Sequence, residues 1–417
     1  MTAWSLLILG LLSLSATASA LVRFRRPVQT GFLVMMVSWL TGEYPLFHIG
    51  AQAVVAALLI GGTDRTVGLL GAVALIVSWT GLIGVRLVQR RARPSAEAAL
   101  VAALGPDHLA ELAPDRRAAL RSRPERGLLL RPWHFDRTGI VVARNVAYGD
   151  DRRNVLDVYR PATSDRPLPV VVQIHGGAWV LGHKAQQAQP LLHRLAANGY
   201  VGVSINYRLA PGTRFPGQVI DVKRAIAWVK AHIGGYGGDP GLVIVTGGSA
   251  GGQLAALAAL TPNDPAYQPG FEASDTTVAG CIPFYGPSDF TNRFGIRGRR
   301  SSMEAFVRRT VMPGAMRDVP ELYRAMSPIE HVTADAPPFL VIQPDLDVLV
   351  WREEARAFAE HLAAVSRNPV VYWEVPGAQH AFDVLHSQRC AVAVDTCERF
   401  AGWVVARAGA RPAGRPG

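Results

Sequence analysis

Apolar positions in the first ninety residues run on without the polar breaks of a surface helix. Residues 3–22 carry no charge and are long enough to cross a bilayer. Residues 30–62 are apolar apart from the interruption Gly42-Glu43-Tyr44-Pro45. Residues 66–88 form an unbroken run of 23 residues, about 35 Å long as a helix. The pattern predicts a transmembrane helical anchor over residues 1–90, of about three spans. Ala18-Ser19-Ala20 resembles a signal-peptidase site, but no basic residue precedes the apolar run, so an uncleaved span is favoured. Glu43 has two readings. An intramembrane carboxylate is a functional candidate by default. The flanking Gly42 and Pro45 favour the other, a helix that breaks there and leaves Glu43 in water or near a headgroup.

Residues 91–131 alternate Ala and Leu with Pro94, Pro106, Pro114 and Pro124, which predicts an amphipathic linker lying on the membrane surface. From Ile140 the period changes to two. Residues 140–148 and 154–159, separated by Gly149-Asp150-Asp151, read as an antiparallel strand pair. β-branched runs at 170–174, 201–205, 243–246, 278–284, 339–342 and 370–374 then alternate with helical stretches such as 219–232. That alternation predicts an α/β fold for residues 132–417, a mostly parallel sheet with helices on both faces.

The strand 243–246 runs into Gly247-Gly248-Ser249-Ala250-Gly251, followed by an Ala- and Leu-rich helix over 253–260. Strand, tight turn and helix are the setting in which a G-x-S-x-G sequence exposes a nucleophilic serine. Two further parts stand at strand ends. His175-Gly176-Gly177-Ala178-Trp179 follows the strand 170–174, and its small residues free backbone amides to bind an oxyanion. The donors expected are Gly176, Gly177 and Ala178, with Ala250 after the serine. His175 reads as a residue bracing that loop. Asp345 and Asp347 follow the strand 339–342, and His380 follows 370–374. The order Ser249, Asp347, His380 is that of a hydrolase triad, with Asp345 as a rival acid.

Net charge is +11 and the pI near 10. Arginine dominates the basic residues, and no nucleic-acid-binding motif accompanies them, so an anionic membrane surface suits the charge better. Cys281, Cys390 and Cys397 read as reduced packing residues, with no metal or redox spacing.

His175-Gly-Gly-Ala-Trp179, Asn206-Tyr-Arg-Leu-Ala-Pro211, Asp221 followed by Ala227-Trp228-Val229, and Gly247–Gly251 together resemble the α/β-hydrolase superfamily over about 135–403. Within it the chain is similar to acetyl-hydrolase and hormone-sensitive-lipase-like esterases, and to membrane-anchored actinobacterial lipase/esterase homologues. The resemblance implies hydrolysis of a small-molecule or lipid ester through a serine acyl-enzyme, without a cofactor or metal. The third Gly of the oxyanion motif is Ala178 here, and Gln343-Pro344 precedes the acid where His-Gly is common. Amide hydrolysis on the same residues, or an idle hydrolase fold acting as an interaction module, are the competing functions. Residues 287–327 read as a cap, with Arg293, Arg297, Arg299, Arg300, Arg308 and Arg309 forming either a solvated basic face or a headgroup site. Trp179, Phe215 and Trp351 are candidates for an acyl pocket or for core packing.

Charge also predicts sidedness. Arg23, Arg25 and Arg26 close the first apolar run, and Arg86, Arg90, Arg91 and Arg93 close the third. Three crossings put both clusters in the cytoplasm, with the catalytic domain on that face of the cell membrane.

Overall fold

A computed structural model describes residues 2–23, 28–59, 64–120, 127, 131–297 and 302–410. Arg25, Arg26, Arg299 and Arg300 lie outside them. The sheet has eight strands: β1 (Ile140–Ala147), β2 (Val155–Pro161), β3 (Leu168–Ile174), β4 (Val201–Ile205), β5 (Gly238–Gly248), β6 (Gly280–Phe284), β7 (Phe339–Pro344) and β8 (Val370–Val375). Their spatial order is β1-β2-β4-β3-β5-β6-β7-β8. β2 pairs antiparallel with β1 and β4, and every other pair is parallel.

Alternate residues of the central strands enter two cores. Val170, Val172, Ile174, Val243 and Val245 face one, while Val171, Ile244, Ile282 and Leu340 face the other. Both faces are covered, which is why these strands read as continuous apolar runs. Each fully buried Val or Ile contributes about 1.5–3 kcal/mol. β7 and β8 end beside each other, with Pro344 opposite Val375, so the loops that follow them start from one edge of the sheet.

Three N-terminal helices pack by small residues: α1 (Thr2–Leu21), α3 (Pro45–Leu59) and α4 (Arg65–Gln89). A Cβ on Gly71 would sit 2.7 Å from the Leu6 carbonyl carbon, so only glycine permits this approach of α1 and α4. Farther along, Thr17 and Ser78 share a hydrogen bond of 2.8 Å. Partners advance together along both helices, so α1 and α4 are parallel. α3 is antiparallel to α4: the Gln89 amide donates to the Gly42 carbonyl at 2.8 Å, and Trp79 Nε1 donates to Gln52 at 2.9 Å. Among the described residues, Ala3–Leu21 and the helical stretch Arg65–Leu104, which contains α4, are long and apolar enough to cross a membrane by length and composition.

One expectation is corrected here. The segment after α4 is not a linker lying on a surface. α5 (Ala92–Leu104) buries Ala92, Ala96, Leu100 and Leu104 in the core that also takes Trp373, Phe400 and Trp403. Its apolar stripe is therefore satisfied by the sheet-bearing body, with α13 (Gln388–Ala410) beside it. The apolar stretch that starts at residue 30 breaks at the Gly42–Pro45 interruption, as those residues predict. α2 (Val28–Glu43) packs on α1 and also places Trp39 in that same core, and α3 runs beside α1 and α4. Tyr44 separates the two, where Pro45 supplies no N–H to the helical ladder.

Glu43 lies neither in water nor among headgroups. Its side chain is 1 % exposed and pairs at 2.8 Å with Arg389, which is 0 % exposed. The Ser387 hydroxyl donates to its other oxygen at 2.7 Å, and Arg389 also donates to the carbonyls of Gly42 and Pro376. The break in the apolar run is thus a plug into the sheet-bearing body. Removing one partner of such a pair strands a buried charge, at about 3–5 kcal/mol. Glu43→Ala and Arg389→Ala are each expected to lower the stability of the detergent-solubilised chain by that amount, read by denaturant unfolding, with the double variant far from additive. Single variants within about 1 kcal/mol of the parent, the range typical of exposed pairs, would contradict the buried pairing.

Candidate active site

β5 delivers Ser249 into a sharp turn. Its φ of 57° and ψ of −121° lie outside the regions comfortable for an L-residue. The amide of Ser249 donates to the Phe284 carbonyl at 2.9 Å, and α9 (Ala250–Leu260) starts at the next residue. The helix thus begins three residues earlier than the Ala-Leu pattern suggests, which aims its N-terminal amides toward the turn. A Cβ on Gly251 would lie 2.1 Å from the Ile174 carbonyl oxygen, so the last glycine of the motif is fixed by the approach of β3. Ser249 is half-buried.

The glycine loop after β3 sits against the same turn. The Cβ of Ser249 lies 3.2 Å from where a Cβ on Gly176 would be. Successive positive φ angles at Gly177 (119°), Ala178 (50°) and Trp179 (62°) turn this backbone back on itself. The Gly176 amide is already committed, donating to Gln187 Oε1 at 2.7 Å. Gly176 is therefore removed from the expected oxyanion donors, leaving Gly177, Ala178 and Ala250. His175 braces the loop as expected. Its ring stacks on Tyr207 at 4.3 Å, its Nδ1 meets the Gly176 carbonyl at 2.8 Å, and burial pushes its pKa down to about 4, so it is neutral.

Asp347 and His380 meet. Asp347 Oδ2 stands 2.7 Å from His380 Nδ1, and Asp347 Oδ1 accepts from the amides of Leu349 and Val350 at 2.8 and 2.9 Å. The carboxylate is fully buried and its ring partner nearly so. A buried carboxylate on Nδ1 fixes the tautomer, leaving Nε2 free to take a proton. The rival acid is placed elsewhere. Asp345 sits under Gly377, with Oδ1 buried and unpartnered, and burial raises its pKa to about 6.

Two neighbours of the pair escaped the sequence reading. Tyr285, just past β6, lays its ring 4.5 Å from the His380 ring, and its hydroxyl donates to Asp383. A Cβ on Gly248 would meet that hydroxyl at 2.9 Å, so the imidazole and the serine turn flank one aromatic ring. Gln379 Oε1 accepts from the amides of Val348 and His380, tying the acid loop to the histidine loop. An aromatic at the end of the strand beside the nucleophile strand is the signal that points to Tyr285. Gln379 carries none beyond adjacency to His380.

Other candidates resolve into packing. Trp179 is 2 % exposed and donates to Gln253 at 2.9 Å, and Phe215, 4 % exposed, packs on Tyr267. Trp351 is half-buried, just beyond the Asp347 turn, and is the one member of this trio open to solvent. Within the cap, α10 (Ser302–Thr310) and α11 (Pro320–Met326) bury Val307, Tyr323 and Met326 on the body. Arg297 is committed to Glu354, whose other oxygen holds the amides of Ser288 and Asp289, so it serves the cap's attachment. The shared family motif has a structural use as well: Asp221 is fully buried and takes both the amide and the guanidinium of Arg208. The three cysteines are buried and unbridged.

The BD-FAE family matches residues 156–362. A probable carboxylic ester hydrolase of Mycobacterium tuberculosis, LipM, is 39% identical over 95% of this chain and 94% of its own length. The chain belongs to the α/β-hydrolase esterases. Esterase LipQ of the same organism is 37% identical over 94% of this chain and 88% of its own length. Among solved structures, a truncated carbohydrate esterase from gut microbiota superposes with a TM-score of 0.55 at 22% identity, over 67% of this chain and all of its own, which supports the fold. The likeness to the two mycobacterial proteins runs nearly end to end, so the esterase shares with them its N-terminal region as well as its hydrolase body.

Proposed function

We propose that this esterase hydrolyses carboxylic esters through an acyl-enzyme on Ser249, at the cytoplasmic face of a membrane. The observation that carries the chemistry is the buried Asp347–His380 contact of 2.7 Å at the strand edge that also carries the strained Ser249. His380 Nε2 takes the proton of the Ser249 hydroxyl as Oγ bonds to the carbonyl carbon. The carbonyl electron pair moves to oxygen, where the amides of Gly177, Ala178 and Ala250 receive it. Collapse expels the alkoxide, which takes the proton from His380. Water then repeats the sequence, releasing the acid and restoring Ser249. Asp347 holds the ring and balances the imidazolium. No step calls for a cofactor or metal.

Three features support attachment to a membrane. α1 and α4 are apolar and parallel, so Arg23 beyond α1 and Arg86, Arg90, Arg91 and Arg93 at the end of α4 share one side, the side of the hydrolase body. Exposed Leu46, Leu58, Leu69, Leu70 and Ile76 suit lipid. Trp133 is 72 % exposed, and the neighbouring Pro132 carbonyl binds His386, which in turn binds Tyr44 at the anchor junction.

Fluorescent-protein and alkaline-phosphatase fusions after Arg131 and at the C-terminus test the sidedness. Fluorescent reporters and inactive phosphatase at both points are expected; active phosphatase at both would place the domain outside. Matched ester and amide substrates of one acyl group test the reaction class, and faster turnover of the amide would overturn the ester assignment.

A further inference from the structure

The anchor and the active site share a residue. Arg23 lies two residues beyond α1, and its side chain is 12 % exposed. Its Nε donates to the backbone carbonyl of Asp347 at 3.1 Å. Its Nη1 and Nη2 donate to the two oxygens of Glu353 at 2.8 and 2.9 Å. Glu353 stands in the first turn of α12 (Arg352–Val365), just after the turn that carries Asp347. One guanidinium therefore closes the acid loop from residue 347 to residue 353. The planar fork suits this: two parallel bonds to a carboxylate and a third to a carbonyl, all from one rigid group.

The loop is held from the opposite side by the histidine loop. Leu346 donates to the Ala378 carbonyl, and Val348 donates to Gln379. Arg23 supplies the remaining side, at the backbone of the residue whose carboxylate orients His380. We propose that Arg23 is a positioning residue for catalysis: the end of the first anchor helix sets the Asp347 turn, so the anchor is part of the active-site framework as well as its attachment. The inference rests on the reading of Asp347 as the triad acid.

Loss of the clamp leaves the Asp347 carboxylate its own turn bonds to Leu349 and Val350, so the carboxylate shifts relative to the ring without being removed. A misplacement on the order of 1 Å costs up to about 100-fold in rate. The test uses the full chain in detergent micelles with a soluble chromogenic ester. Competent sites are counted by fluorophosphonate titration, so that kcat refers to folded, reactive enzyme. Arg23→Ala is expected to lower kcat per titrated site by about 10- to 100-fold at unchanged KM. Arg23→Lys, with one compact donor head, recovers part of the loss. Glu353→Gln falls between Arg23→Lys and the parent, and Arg23→Ala/Glu353→Gln is no slower than Arg23→Ala, because both changes break one linkage.

Asp347→Asn is measured beside them. Wild-type kcat per site in Arg23→Ala with an inactive Asp347→Asn would overturn the positioning role and leave the acid assignment standing. An active Asp347→Asn would overturn the acid assignment itself. Fewer titratable sites at unchanged kcat per site would show that Arg23 serves stability alone, which also overturns the proposal.

Discussion

Ser249→Ala is expected to lower ester turnover by at least about 1,000-fold while the chain keeps its fold. The serine hydroxyl has no substitute in the turn, since its neighbours Gly247, Gly248, Ala250 and Gly251 carry no nucleophile. What survives is the catalysis supplied by oxyanion donors and substrate binding, which alone give about 1,000- to 10,000-fold over water in related triads. Folding is preserved because Ser249 is half-buried and its structural bonds run through the backbone: its amide to Phe284, and its carbonyl to the Gln253 amide. The backbone strain at φ 57° remains with alanine, so stability changes little. Steady-state turnover of a chromogenic ester, with thermal unfolding of the same sample, is the measurement. Turnover within about 10-fold of the parent in a folded sample would remove Ser249 as the nucleophile.

The sheet was legible because its strands alternate between two apolar cores and are bounded by glycine and proline. All eight strands appear where the β-branched runs lie. The order of serine, acid and histidine at successive strand ends was legible for the same reason: in a parallel sheet, chain order and strand direction dictate which loops share an edge. What escaped the sequence was every contact made across the fold. Glu43 reads as an interruption of a span, and only the tertiary structure supplies Arg389, 346 residues away, as its partner. Arg23 reads as one of a cluster that sets topology, yet its guanidinium is spent on Asp347 and Glu353. A charge beside an apolar run carries no local sign of whether water, lipid or a distant loop will pair with it. The same limit explains Gly176: its residue type suits an oxyanion donor, but the amide belongs to Gln187, which no spacing rule connects to it. α5 shows the converse, an amphipathic stretch read as a surface linker whose covering surface is the hydrolase body.

The two carboxylates of the acid loop are expected to respond in opposite ways. Asp347→Asn keeps the shape of the side chain but presents an amide to His380 Nδ1, so the ring loses the partner that fixes its tautomer and balances its charge. Turnover is expected to fall by about 1,000- to 10,000-fold. Asp345→Asn leaves turnover unchanged, since Asp345 makes no contact with the ring, and it changes stability instead. Burial raises the Asp345 pKa from 3.8 to about 6, so the folded chain holds this proton more tightly than the unfolded chain does. The stabilisation from that proton is complete below pH 3.8 and is lost as pH rises through about 6, where the folded chain carries a half-buried carboxylate with one oxygen unpartnered. Asparagine mimics the protonated acid at every pH. Asp345→Asn therefore stabilises the chain above pH 6 by up to about 3 kcal/mol, and the gain fades as the pH is lowered to 4. Activity assays and denaturant unfolding at pH 8 and pH 4 separate the two residues. A crippled Asp345→Asn beside an active Asp347→Asn would move the triad acid to Asp345, and a stability gain equal at both pH values would show that Asp345 is ionised in the fold as it is in the unfolded chain.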